Sequence, residues 1–407
     1  MRRVILLLYF ISIITITTAQ KKKAVFVIVD GIPADVIEKI HTPALDSIAK
    51  VGGYKRVYVG GEKGGYSQTP TISAVGYNSV MTGVWVNKHN VWDNDIAAPN
   101  YNYWNIFRFL KNSNPEKQIA IFSSWEDNRT KLVGENLAAA GNIKFDHYYD
   151  GLELDTVKFP HDSKSDYMHR IDQDVTENAA SYIRSKAPDL SWVYLEYTDD
   201  MGHMHGDSKE FYNAVELMDK QMRLLWQAIE HRRKNYKEDW LIIITTDHGR
   251  DSATGKNHGG QSNRERSGWI VTNAKNLNEH FKKGNPSIVD IMPTIASFMN
   301  IKIPRENKME VDGISLIGNI SATNAKATRD NNKIVVNWKP LTQKGNVKIW
   351  LTTTNNFKTG SKDDYKMVGE FPLKNGKAEI DVSKMPSEFY KIVIETPANM
   401  LNRWIVR

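Results

Sequence analysis

Five short apolar runs punctuate the first three hundred positions of the chain. They are 24–29 (AVFVIV), 118–123 (QIAIFS), 192–197 (WVYLEY), 241–246 (LIIITT) and 268–272 (GWIVT). Each is rich in β-branched or aromatic residues and none alternates cleanly with polar ones. A strand of that kind needs cover on both faces, as in a parallel sheet under helices. Between the runs, apolar positions recur at helical spacing over 42–51, 75–82, 167–185, 210–231 and 288–299. Strand alternating with helix predicts an α/β doubly wound sheet with helices on both faces. Ligand chemistry in such sheets sits beyond the carboxyl ends of the strands.

Past position 320 the pattern changes. Segments 333–338 (KIVVNW), 347–352 (VKIWLT), 378–382 (AEIDV) and 390–395 (YKIVIE) alternate and are separated by Gly, Asn, Lys and Pro. This predicts a small C-terminal all-β sandwich of fibronectin or immunoglobulin type over 321–407, with the α/β body spanning 20–320. The first nineteen residues differ again. Arg2 and Arg3 precede an apolar stretch from Val4 to Ile16, and Thr17-Thr18-Ala19 ends in a small residue. That is the form of a cleaved signal peptide, and the apolar stretch is shorter than the roughly 20 residues of a membrane span. Export to a periplasm or beyond the cell is expected, with no stable span after cleavage.

Composition narrows the chemistry. The 407 residues include no cysteine, which excludes disulfides, thiolate metal ligands and a cysteine nucleophile. Any metal must be held by His, Asp or Glu, with help from hydroxyls. The net charge of +7 falls to +5 without Arg2 and Arg3. No block of five like charges occurs, so specific nucleic-acid binding is not expected.

Three of the buried runs end in candidate ligands. Asp30 follows the first. Thr198-Asp199-Asp200-Met201-Gly202-His203 follows the third, and Asp247-His248-Gly249 follows the fourth. His258 comes ten residues after His248, in Asn257-His258-Gly259-Gly260. In the Asp-x-x-Gly-His segment, Gly202 would permit a tight turn that joins Asp199 to His203. Three Asp and three His at strand ends are more than one catalytic zinc uses, and suit two divalent ions about 4 Å apart. Ser73, at the expected start of a helix, is a candidate nucleophile. A helix start favours anions, and a hydroxyl beside a metal loses its proton readily. Thr71 and Ser79 are rivals for that role, as is the simpler reading of Ser73 as a helix cap. His205 and His231 are rivals to His258.

These motifs together resemble the alkaline phosphatase superfamily, and most closely its type I phosphodiesterase/nucleotide pyrophosphatase family, over about residues 24–318. The resemblance implies two Zn²⁺ ions. Asp30, Ser73, Asp247 and His248 would hold one, and Asp199, His203 and His258 the other. Ser73 would be the nucleophile and form a phosphoserine, and Asn94 would bind the phosphoryl group. The diesterase branch usually has threonine where this chain has Ser73, and its last zinc histidine usually lies much further downstream.

A monoesterase must also neutralise an extra negative charge. No residue in the Ser73 or Asn94 segments supplies that charge plainly, and nothing in the sequence aims Lys88 or Lys131 at the site. Tyr77, Trp85 and Trp92 could stack on a nucleobase. A small phosphodiester or nucleotide pyrophosphate is therefore the expected substrate, with an alkaline-type phosphomonoesterase as the alternative. A surface-binding protein built on a degenerate enzyme body is the alternative of another class. In the tail, Trp338, Trp350 and Trp404 could meet carbohydrate or could fill a sandwich core.

Overall fold

The computed structural model describes residues 20–406, so the expected signal segment lies outside the described residues. Strand β1 (Lys21–Val29) is buried from its third residue onward. The cause is its central place in a sheet with β2 (Gly53–Tyr58), β3 (Ile119–Ser123), β4 (His147–Tyr149), β5 (Leu190–Leu195), β6 (Glu238–Thr245) and β7 (Ser267–Thr272). The order across the sheet is β2-β7-β6-β1-β5-β3-β4. The five strands from β6 to β4 run parallel, and β7 lies antiparallel to both β6 and β2.

Alternate residues of β1 feed two separate cores. Ala24, Phe26 and Ile28 pack with Trp192, Tyr77, Phe107 and Met292 on one face. Val25, Val27 and Val29 pack with Val193, Met218 and Ile229 on the other. Helices Ser73–Thr82, Ile106–Ser113 and Ile291–Met299 cover the first face; Pro43–Val51, Asp166–Ser185 and Lys209–Asn235 cover the second. Register then decides where the chemistry falls. Val29 lies level with Leu195, and Ile28 with Thr245. Asp30, Glu196 and Thr246 therefore leave the sheet along one rim.

Seven further strands follow. They are β8 (Ala322–Asp330), β9 (Lys333–Pro340), β10 (Asn346–Thr352), β11 (Lys366–Pro372), β12 (Lys377–Asp381), β13 (Phe389–Glu395) and β14 (Met400–Val406). They form two antiparallel sheets, β11-β10-β13-β14 and β12-β9-β8, around a core of Ile334, Val336, Trp338, Ile349, Leu351, Ile392 and Ile394. Three of these strands, β8, β11 and β14, go beyond the four that sequence patterning predicts. No described helix is long and apolar enough to cross a membrane.

Candidate metal centre

Four side chains meet at the rim beyond β1 and β6. His248 Nε2 lies 3.3 Å from Asp30 Oδ1, 3.2 Å from Asp247 Oδ2 and 3.4 Å from Ser73 Oγ. The other ring nitrogen, Nδ1, is 3.0 Å from the Gly249 carbonyl. A carbonyl only accepts, so Nδ1 carries the proton and Nε2 offers a lone pair. That lone pair faces two carboxylate oxygens that are buried without a hydrogen-bond donor. Burial holds the His248 pKa well below its ordinary range, with neighbouring His258 adding to the effect, so the ring does not supply a proton. Only Nε2 has a donor in reach, the Ser73 hydroxyl; two buried carboxylate oxygens left beside it are strongly unfavourable unless a proton or a cation lies among them. The donor set therefore fits a divalent ion.

The carboxylates are held by their own partners. Tyr77 and Tyr194 both donate to Asp30 Oδ2, Tyr194 at 2.8 Å. The Gly31 N–H donates to Asp247 Oδ1 at 3.2 Å. Burial first, then the crowding of Asp30, Asp247 and Asp199, lifts the pKa of Asp30 well above the carboxylate range. Burial and Asp199 push Asp247 up to about 8. Ser73 is the first residue of its helix rather than its cap, and its hydroxyl makes no capping bond.

A second group adjoins the first. Asp199 Oδ2 lies 3.1 Å from His203 Nε2, and His203 Nε2 lies 3.0 Å from His258 Nε2. At that distance one ring N–H can donate to the other nitrogen, or both lone pairs can face a shared cation. His258 Nδ1 is 2.9 Å from the Thr71 carbonyl, which leaves Nε2 as its ligand atom. Asp199, His203 and His258 can bring one ligand atom each within 4.8 Å of the others, and so can Asp30, Asp199 and His248. Asp199 thus stands between the two groups, and the His248 and His258 rings stack at 3.8 Å.

The expected tight turn at Gly202 is a helix instead, Tyr197–His205, which sets Asp199 and His203 one turn apart on the same face. Its start is capped from a neighbouring helix. Asp172 accepts the Glu196 N–H at 3.1 Å and the Tyr197 N–H at 2.9 Å. Gly202 serves another purpose: a Cβ there would overlap the Arg250 guanidinium. Arg250 is fully buried. It donates to Asp199 Oδ1, to the Asp199 carbonyl at 2.8 Å, to the Gly31 carbonyl at 2.9 Å and to the Lys256 carbonyl at 3.0 Å. Burial opposes the charge on Asp199, but Arg250 and then His203 outweigh it and hold that carboxyl below the usual range. Sequence reading passed over Arg250, because a charged residue in a Gly- and Lys-containing stretch reads as a solvated loop.

The short His248–His258 spacing has a local cause. Asp251 accepts N–H bonds from Ala253, Thr254 and Asn257 at 2.7–2.8 Å and cinches the loop. Thr71 Oγ1 then accepts the Gly259 N–H and donates to the Gly260 carbonyl, each at 2.9 Å. That commits the Thr71 hydroxyl to the loop. The Ser79 hydroxyl is likewise committed, to the Val75 carbonyl at 2.8 Å and to His89. His205 is exposed, and His231 bonds Asn235 near the end of its long helix.

Asn94 lies beside Ser73: its Oδ1 accepts the Ala74 N–H at 3.0 Å. No partner for its Nδ2 occurs among the described residues. Lys88 is not a clamp for an anion. Its ammonium is fully buried on Asp312 and Asn402. Lys131 pairs with Asp127 at 2.7 Å. Tyr77 is spent on Asp30, and Trp85 is buried against Tyr58. Of the three aromatic candidates, Trp92 alone is exposed, at 52%.

An α/β sheet whose strand ends gather Asp, His and Ser into two adjoining groups of candidate cation ligands agrees with the class that comparison with known proteins shows, the alkaline phosphatase superfamily. The sequence model for type I phosphodiesterase / nucleotide pyrophosphatase matches residues 24–315. The chain belongs to that family. It is 25% identical over 353 residues to the GPI ethanolamine phosphate transferase 2 of Eremothecium gossypii, a match covering 79% of this chain and 38% of the other. It is 24% identical over 137 residues to a 2,3-bisphosphoglycerate-independent phosphoglycerate mutase of Mycoplasma mycoides subsp. mycoides, covering 34% and 25%. The chain thus spans well under half the length of these curated relatives. A putative sulfatase from Bacteroides thetaiotaomicron shares the fold, with a TM-score of 0.52 at 11% identity over 90% of this chain and 86% of that one.

Proposed function

We propose that the protein is an exported phosphoric ester hydrolase. It holds two zinc ions and cleaves a phosphodiester or nucleotide pyrophosphate through a phosphoserine at Ser73. One observation carries this reading: Ser73 Oγ, His248 Nε2, Asp30 Oδ1 and Asp247 Oδ2 converge, and the carboxylate oxygens have no donor. Asp30, Ser73, Asp247 and His248 would hold one ion, and Asp199, His203 and His258 the other. When bound, the ions supply positive charge that acidifies the attacking hydroxyl and offsets charge on the phosphoryl and leaving oxygens.

The chain's own residues perform the rest. Ser73 Oγ passes its proton to water and attacks phosphorus, the P–O bond to the leaving group breaks, and the leaving oxygen takes a proton from water. A water molecule then attacks the phosphoserine, which releases the monoester and restores Ser73. Asn94 Nδ2 donates to a non-bridging oxygen throughout. Since Lys88 and Lys131 are engaged elsewhere, the doubly charged group of a monoester finds less compensation than the single charge of a diester.

The test compares bis-p-nitrophenyl phosphate with p-nitrophenyl phosphate, before and after chelation and after return of Zn²⁺. The expected result is a preference for the diester, loss on chelation, recovery with Zn²⁺ and loss of at least about 10³-fold in Ser73→Ala. A strong monoester preference would favour the phosphomonoesterase. Absence of both bound metal and activity would favour the surface-binding alternative. Amino-terminal sequencing of the mature protein should begin just after Ala19 if residues 1–19 direct export.

A further inference from the structure

The seven C-terminal strands sit outside the matched family region, and their tryptophans are already committed. Trp338 is buried and donates to the Leu373 carbonyl at 2.8 Å. Trp350 donates to Glu395 at 2.7 Å beneath Arg305. Trp404 is buried and stacks on Tyr66 at 5.7 Å. None of them presents a free ring to a sugar. The C-terminal domain instead touches the segment that carries Asn94 on both sides, through Asn402 and Trp404 of β14 and through the short helix 356–359 between β10 and β11.

On the near side, Lys88 precedes Asn94 by six residues. Its Nζ donates to the Glu310 carbonyl at 2.7 Å, Asp312 Oδ1 at 2.6 Å and Asn402 Oδ1 of β14 at 2.8 Å. It also lies 5.3 Å from the Trp404 ring. On the far side, Asn100 and Asn102 both donate to the Lys358 carbonyl at 3.0 Å. Tyr103 packs on Phe357 at 5.1 Å between ring centres. The two sides are tied to each other, because the Asn100 N–H donates to the His89 carbonyl at 2.8 Å. Asn94 sits in the closed loop between them and reaches back to the Ala74 N–H beside Ser73.

A second buried ammonium, Lys391 of β13, bonds Glu310 Oε1 and Asp363 Oδ2, each at 2.8 Å. Separating a buried ion pair strands a charge away from water, so such pairs resist sliding. A loop tied down at both ends keeps its tip in place, and phosphoryl transfer is sensitive to displacements of about 1 Å.

We propose that the C-terminal β domain is a brace for the Asn94 loop, and that Phe357, Asn100 and Asn102 are positioning residues for the phosphoryl site. This rests on the hydrolase reading above for Asn94's role. The test uses the full-length, zinc-loaded protein with Phe357→Ala combined with Asn100→Ala and Asn102→Ala. Ile380→Ala, buried in β12 away from the loop, serves as the control for general destabilisation. Two readouts are taken below the unfolding temperature of every variant: kcat/KM on bis-p-nitrophenyl phosphate, and hydrogen exchange across residues 90–103.

The brace variant should lose at least about tenfold in kcat/KM and exchange faster over 90–103. In an Asn94→Ala background the same three changes should alter kcat/KM by less than about twofold, because the group they position is gone. Ile380→Ala should lower the urea midpoint and leave both readouts near wild type. The proposal is overturned if the brace variant keeps wild-type kcat/KM, if its effect persists undiminished without the Asn94 side chain, or if Ile380→Ala has the same effect. Should the wild-type protein hydrolyse no ester, the hydrolase reading falls, while unchanged exchange over 90–103 would by itself overturn the brace.

Discussion

Gly202 lies inside a nine-residue helix, where replacing Gly by Ala ordinarily gains about 0.5–1 kcal/mol. Here the opposite sign is expected. The new Cβ would overlap the Arg250 guanidinium carbon, Nε and Nη2. Arg250 has nowhere to go, being fully buried and bonded to Gly31, Asp199 and Lys256. Hydrogen bonds to a charged group contribute about 1.5–3 kcal/mol each. Losing two of them and subtracting the helix gain leaves a net cost of about 2–5 kcal/mol. That is a large fraction of the 5–15 kcal/mol or so that holds an ordinary domain together. Urea denaturation followed by circular dichroism should be run on the wild type, Gly202→Ala, Arg250→Ala and the double variant. With Arg250 trimmed, Gly202→Ala should become neutral or stabilising, so the two changes are strongly non-additive. A neutral or stabilising Gly202→Ala in the wild-type background would refute the reasoning.

Two further outcomes follow from the residues around the ligands. Asp172 is buried, and burial pushes its pKa up to about 7 despite the bonds from Ser124, Tyr197 and Glu196. The folded state then binds that proton more tightly than the unfolded chain, so its contribution to stability is greatest below about pH 4 and is lost as pH rises through about 7. Asp172→Asn does not titrate; the melting temperature of wild type minus that of the variant should fall from pH 4 to pH 7, and a constant difference would contradict the assignment. Thr71→Val deletes the hydroxyl that ties Gly259 and Gly260 beside His258. On the two-zinc proposal it should weaken one of the two affinities by about 10–100-fold in chelator competition, and equal weakening of both, or of neither, would count against it.

Four of the five parallel strands, β1, β3, β5 and β6, were legible because both of their faces are buried; β4, three residues with none buried, was not. Runs such as AVFVIV and LIIITT need no turn signal to be seen. Strand β11 escaped because none of its residues is buried, and β8 because a bulge between Thr323 and Lys326 breaks its alternation. Strand β14 mixes Asn402 and Arg403 among its apolar residues, and Asn402 is polar because it meets Lys88 rather than a hydrophobic core. At the site, the Asp and His residues announced themselves by position after strands. The 192–197 run was extended two residues too far, since aromatic Tyr197 continues the apolar pattern while opening a helix. Arg250 and Asp172 could not be read at all. What makes them important is burial against backbone groups brought from distant parts of the chain, and no local spacing encodes that.

Asp247, His248 and His258 ride on a single stretch of twelve residues, knotted by Asp251 and pinned to Thr71. That stretch contributes to both candidate ligand groups at once. Any local opening that frees it removes ligands from the two positions together, and closing restores them together. On the two-ion proposal, retention of both ions is tied to a single conformational event, whichever of them binds more tightly.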